Sequence, residues 1–267
     1  KASATAKASL IDNRKKINVP WKNIKGGLAD IGVGANGVVW GVNSNGAIYR
    51  LRSNNTWENI KAGKAGGLTR IDVDNKGNAY GVNKNGAIYK WNGKWNRIPG
   101  ALTDIGVGAN GAVWGVNKNQ SIYKLKSNGK SWQPMTGKAV RIDVDPQGNA
   151  VVVNKRGQIY QYNGKGGWNV IKGALSDISV GPKGKIWGIT KAGAIFKSDG
   201  KGWWIRANGS ANKAISVGPK GPWIINKKGQ IFTASVPVSN ATAKASATAK
   251  ASLIDNRKKI YVPWKNI

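Results

Sequence analysis

The chain has 267 residues, with 43 Lys and Arg against 11 Asp and Glu, giving a formal net charge of +32. It contains no Cys and no His, which excludes disulfides, thiolate metal sites and histidine-based catalysis. The 37 Gly and 13 Trp suit many short strands joined by tight turns, and the charge attracts phosphates, carboxylates and sulfates.

In chain order, the first segment is KASATAKASLIDNRKKINVPWKNI, which returns from Lys244 to Ile267 with Asn18 replaced by Tyr261. Residues 1–18 read as a basic Ala/Lys/Ser linker, since KASATAKAS is low in complexity. No signal peptide is visible, and a chain that begins at Lys1 is expected to be a processed or excised product. No apolar run approaches the roughly 18 residues needed to span a bilayer, so no transmembrane segment is expected.

Residues 19–238 hold six copies of one unit, led by Trp21, Trp57, Trp95, Trp132, Trp168 and Trp203/Trp204 and spaced by 36 to 38 residues. The first unit reads as four short strands, 30–34, 38–43, 47–51 and 57–60. They are separated by Ala-Asn-Gly, Asn-Ser-Asn-Gly and Ser-Asn-Asn turn signals. Six repeats of four antiparallel strands predict an all-β, six-bladed β-propeller. Units one and three share DIGVGANG, two and four share RIDVD, and five and six share SVGPKG, so blades duplicated in pairs.

The sixth unit lacks its own outer W-x-x-I strand, and an open sheet edge invites pairing. Trp21–Ile24 and Trp264–Ile267 both read WKNI and compete for that vacancy. Trp21 is held directly beside the first blade, so the shorter tether favours ring closure by the N-terminal copy. Residues 239–267, including Trp264 and Ile267, are then surplus to this ring. Three readings of the surplus copy stay open: the start of a further propeller, a strand given to a neighbouring molecule, or an unstructured tail.

The L-x-D-I-x-V-G-x-x-G-x-x-W-x-V-N-x-x-G-x-I-Y/F pattern, with a Trp on the outer strand, resembles the tectonin family of β-propeller lectins. The resemblance implies a module that binds sugars or lipopolysaccharide on cell or microbial surfaces, outside the cell. This chain departs from the family in its charge and its repeated terminal segment.

In a four-stranded blade, the turn between strands two and three shares a rim with the connection to the next blade. That turn carries Lys84, Lys118, Lys155, Lys191 and Lys227, a regular cationic ring suited to multivalent binding of an anionic polysaccharide or lipopolysaccharide. Asn43, Asn83, Asn117 and Asn154 are candidate polar neighbours for a sugar, whereas Trp40, Trp114, Trp187, Trp223, Tyr49, Tyr89, Tyr123 and Tyr160 read as blade core. Nucleic acid is expected only as a non-specific, salt-dependent partner, because no recognition motif is present.

Asp30, Asp104 and Asp177 recur at one blade position and are expected to accept hydrogen bonds from backbone or cations. DVDNKG and DVDPQG (72–77 and 143–148) look like calcium loops but place Lys76 or Gln147 at a ligand position and lack the distal Glu. Turn capping is the expected role, with no metal, no cofactor and no enzyme. Two function classes remain: a cationic lectin, or a structural unit that self-associates head to tail into an extracellular fibre or matrix, on a polyanion or mineral.

Overall fold

The computed structural model describes residues 11–234. They form the six-bladed propeller of four-stranded antiparallel blades that the repeats predict. Blade one comprises Asp30–Val33, Val39–Val42, Ile48–Leu51 and Trp57–Ile60, and blades two to five repeat this plan over residues 70–101, 104–138, 141–171 and 177–207. Blade six takes Ala214–Gly218, Gly221–Ile225 and Ile231–Ala234, and borrows Trp21–Ile24 as its outer strand. The borrowed strand runs antiparallel to the third, with Trp21 opposite Ala234 and Ile24 opposite Ile231. Ring closure by the N-terminal copy is therefore as expected.

Two small devices recur at the junctions. The residue that leads each new blade donates its backbone N–H to the turn between strands two and three of the blade before it. Leu28, Leu68, Leu102, Ala139, Leu175 and Ala211 bond the carbonyls of Gly229, Gly46, Gly86, Gln120, Gly157 and Gly193, all at 2.9–3.0 Å. Glycine suits this turn because the backbone is left-handed there, as at Gly86 with φ 81°, and Gln120 tolerates φ 64° in the one blade without it.

The second device is the outer tryptophan. Trp57, Trp132, Trp168, Trp204 and Trp21 donate their indole N–H to the carbonyls of Lys25, Pro99, Thr136, Lys172 and Asn208 at 2.6–3.0 Å. Each acceptor immediately precedes a glycine of positive φ (Gly26, Gly100, Gly137, Gly173 and Gly209), against which the indole rests. Of the Trp203/Trp204 pair, Trp204 takes this place and is buried, while Trp203 is exposed.

The segment before Trp21 differs from the expected linker. Ile11–Ile17 pairs in parallel with Trp204–Ala207, giving blade five a fifth strand. Asn208 then holds the corner: its backbone N–H donates to the Ile17 carbonyl (3.2 Å), its Oδ1 accepts from Val19 N (2.7 Å), and its Nδ2 donates to the Val19 carbonyl (3.1 Å). Val19 is buried in the cluster formed by Trp187, Ile195, Ala207, Ile215, Ile224 and Ala234, with Ile17 and Trp21 packed on it. Such pairing fills an edge that would otherwise be open. Trp264, Ile267 and the rest of residues 235–267 lie outside the described residues.

Candidate functional site

Strand one of each blade lines the axis, and its polar residues stitch the blades together. The carboxylate of Asp30 accepts Ile71 N (2.8 Å), Asp104 accepts Ile142 N (3.1 Å) and Asp177 accepts Ile215 N (3.2 Å). The alternate junctions use a side chain two residues further on. There Asp72 accepts Val107 N, Asp143 accepts Val180 N and Ser216 accepts Val33 N, at 2.6–3.0 Å, while Ser179 accepts Val217 N (2.9 Å) at the junction that Asp177 already serves. Arg70 bridges Asp30 and Asp104 at 3.2 and 3.7 Å, and Arg141 reaches Asp177 at 3.5 Å. This alternation is the physical content of the DIGV/RIDV pairing in the sequence.

Burial in the narrow axis raises the carboxyls of Asp30, Asp72, Asp143 and Asp177. Asp143 is pushed up to about 6 and Asp177 to about 7, the latter despite the opposing pull of Arg141 and Arg70. Asp30 and Asp72 also move up, again chiefly by desolvation. The cavity they line is only about 30 Å³, and the valine-lined end of the axis holds about 20 Å³, room for little more than a water. Asp74 and Asp145 cap their own turns: each accepts two backbone N–H bonds at 2.8–2.9 Å as well as an Asn side chain. The calcium-like loops are thus turn caps. Among the described residues, no group of three or more Asp or Glu is placed to hold a metal. Seven of the 11 acids (Asp30, Asp72, Asp74, Asp104, Asp143, Asp145 and Asp177) are committed to the axis or to turns, so the rims keep their positive charge almost undiluted.

Lys84, Lys118, Lys155, Lys191 and Lys227 are all exposed on one rim. A turn-capping residue precedes each, Asn83, Asn117, Asn154 and Asn226 in four blades and Thr190 before Lys191. Asn43, Asn83, Asn117 and Asn154 accept two backbone N–H bonds each at 2.9–3.0 Å. Their carbonyl oxygens are occupied, leaving the amide N–H groups as the polar chemistry they can direct elsewhere. Asn43 and Asn117 point this amide at the hydroxyls of Tyr49 and Tyr123 (3.5 and 3.4 Å), Asn83 at the Ala65 carbonyl, and Asn154 at Gln158 Oε1 (2.9 Å).

The aromatic positions of strand two are core, as expected: Trp40 and Trp114 are fully buried and Trp187 is nearly so, though Trp223 is only half-buried. Their outer faces carry cations, Arg50 over Trp40 and Lys124 over Trp114 at 5.8 and 5.2 Å.

Two junctions depart from a shared pattern. Leu28, Leu68, Leu102 and Leu175 each lie over a strand-two glycine so closely that a Cβ added at Gly41 would meet Leu28 Cδ1 at 2.3 Å. Leading into blade six the pair is Ala211 and Ile224, and between blades three and four it is Ala139 and Val152. The junction between blades three and four holds a cavity of about 240 Å³. Its walls are Ile122, Gly137, Lys138, Val152, Asn154, Tyr160 and Trp168. Trp168 is fixed by bonds to the Thr136 carbonyl and hydroxyl and by edge contacts with Trp114 and Tyr162. The Lys138 ammonium donates to the Asn119 carbonyl and Ser121 Oγ at 3.1 and 2.9 Å. The cleft brings together a cation, an amide, a phenol and an indole. Of the sequence candidates it gathers Asn154 alone; Lys84, Lys118, Lys155, Lys191 and Lys227 remain on the rim, and Asn43, Asn83 and Asn117 cap the turns of other blades. The sequence signal at this junction is the break in the Leu…Gly pattern at Ala139 and Val152, a break that Ala211 and Ile224 share at blade six.

These features define a class: a closed propeller with a basic rim and a polar-aromatic cleft between two blades. The sequence matches the Tectonin domain model over residues 4–94 and 68–246, and the chain belongs to the tectonin family. No curated protein matches the sequence. Among solved structures, the gluconolactonase XC5397 from Xanthomonas campestris is similar at 14% identity and TM-score 0.61, over 79% of this chain and 87% of that one. The RRP9 WD40 repeats match at 7% identity and TM-score 0.61, over 80% and 97%. YCF48 from Cyanidioschyzon merolae matches at 16% and 0.53, over 80% and 98%. At such identities the likeness is one of fold. Family and fold fit a lectin-like propeller. Among the described residues no helix is long and apolar enough to cross a membrane.

Proposed function

We propose that this protein is a non-catalytic, extracellular lectin for anionic glycans, including those of lipopolysaccharide. The cleft between blades three and four reads a single sugar unit, and the lysine-bearing rim supplies the long-range attraction. The cleft carries the proposal. A sugar ring presents C–H faces that suit Trp168 and Tyr160, hydroxyls that suit the amide of Asn154, and a carboxylate, sulfate or phosphate that suits Lys138. At about 240 Å³ the cleft falls just below the roughly 300–1,000 Å³ of drug-sized pockets, the scale of one ring. The non-catalytic reading is supported by the commitment of the axial and turn carboxylates to structural hydrogen bonds. The rim attracts nucleic acid only through charge, so that binding is expected to fade with salt.

The test is a glycan array read at low and high salt. Recognition through the cleft leaves a subset of anionic glycans bound at high salt; uniform loss of every signal sinks the lectin reading. A second reading, a structural unit that joins copies head to tail, is favoured by one observation, the repeated WKNI strand.

A further inference from the structure

The closing segment is a clamp across two blades rather than a single strand. Residues 11–17 lie along the outer edge of blade five, Asn208 grips the turn at Val19, and Trp21–Ile24 completes blade six. Its packing is sparse and specific. Val19 is buried, Ile17, Trp21 and Ile24 are half-buried, and Lys16, Asn18, Pro20, Lys22 and Asn23 are exposed.

The C-terminal copy carries Ile260, Val262, Trp264 and Ile267 at the same spacing. The one substitution between the copies, Asn18 to Tyr261, falls at an exposed position. Every side chain that the clamp site packs against is therefore the same in residues 254–267 as in residues 11–24.

We propose that this site is the docking surface for the C-terminal segment, residues 254–267, of a second copy of the chain. The donor strand displaces the recipient's own N-terminal clamp and adds to the edges of blades five and six. Each molecule has one such site and one donor segment, which are different parts of the chain, so the contact is head-to-tail and builds open chains. Donor and displaced clamp make the same contacts, so the exchange is governed by concentration. The recipient's clamp is tethered to its own blade one, at an effective concentration of millimolar or above, and linked molecules accumulate only as protein approaches about 1 mM. A protein held at high local density, in a matrix or on a polyanionic surface, meets that condition. The inference stands apart from the glycan reading, because the cleft lies between other blades.

The absence of cysteine makes the test direct. Lys22 is the direct partner of Thr233 in the closing pair, and Lys265 is the C-terminal counterpart of Lys22. Full-length Thr233→Cys is mixed with full-length Lys265→Cys under oxidising conditions at rising protein concentration. A chain carrying both Lys22→Cys and Thr233→Cys shows that the pair can form a disulfide. The expected result is a mixed disulfide joining one molecule of each variant, with a yield that rises with concentration towards about 1 mM. Trp264→Ala in the donor should abolish it. The proposal is overturned if the single-chain control closes while no mixed disulfide forms, or if the yield is the same with Trp264→Ala. Glycan binding by the mixed sample is unaffected in either case, which keeps the two readings distinct.

Discussion

Two junctions of the ring invite comparison. The one between blades five and six joins parts of the chain 187 residues apart, yet it repeats the rule of its neighbours: Trp21 donates to the Asn208 carbonyl and rests on Gly209. The one between blades one and two is made of consecutive chain and breaks the rule. There the position of the glycine is Ala62, in right-handed conformation, and a short 3-10 helix (Gly63–Ala65) follows. Trp95 turns instead onto Trp40 and Trp91, at 6.0 and 5.3 Å, and its indole N–H is buried without an acceptor. Proximity in sequence does not decide how a junction is built. A glycine able to take positive φ five residues after the tryptophan does.

The largest expected effect is at the closing junction. In a chain ended after Val238, so that no second WKNI strand can substitute, Trp21→Ala should cost roughly 3–5 kcal/mol. At about 2–4 °C per kcal/mol for a domain of this size, calorimetry should show a fall of roughly 6–20 °C in Tm. A fall no larger than that from a rim lysine substitution would mean that the ring does not depend on this strand.

Next comes the glycine. Gly209→Ala places a Cβ 2.8 Å from Trp21 Nε1 at φ 87°, and should cost roughly 1–3 kcal/mol. Ala62→Gly, at the junction that has already left the rule, should stay within about 1 kcal/mol. Equal costs from urea titration would remove the distinction.

Smaller again is the indole hydrogen bond. Trp132→Phe and Trp95→Phe lose the same ring volume, but only Trp132 loses a bond, to the Pro99 carbonyl at 2.7 Å. The difference between the two should be about 1 kcal/mol, with Trp95→Phe the milder.

A further effect concerns the axis, common to every junction. Burial lifts Asp143 to about 6 and Asp177 to about 7 from 3.8. The native state therefore keeps protons that the unfolded chain has already released. Stability should fall as pH rises from about 4 to about 7 and then level off. Asp143→Asn should shallow that slope between about pH 4 and 6, read by urea titration across the range; a slope unchanged by the substitution would place the proton elsewhere.

The blades, their number and the identity of the closing strand were legible because Trp and the Asn-x-x-Gly turn recur at near-constant spacing. The partners of Asp30 and Asp104 were not, since they lie on the next blade, some 40 residues away. The strand at Ile11–Ile17 was hidden for a different reason. IDNRKKI shows no alternation of apolar and polar residues, and its pairing depends on the free edge of Trp204–Ala207 rather than on its own pattern. The cleft was present only as a negative, an Ala and a Val where four other junctions have Leu and Gly, and Ala211 with Ile224 make the same negative at blade six.

That negative supplies the decisive experiment. The double variant Ala139→Leu with Val152→Gly gives this junction the Leu–Gly pair of four others and should close the cleft, while leaving every rim lysine in place. Wild type and variant are compared on one array of anionic and neutral glycans at high salt. The expected result is that the salt-resistant anionic signals of the wild type disappear from the variant, while low-salt binding persists in both. Salt-resistant binding that survives in a folded variant would contradict the cleft as the sugar site.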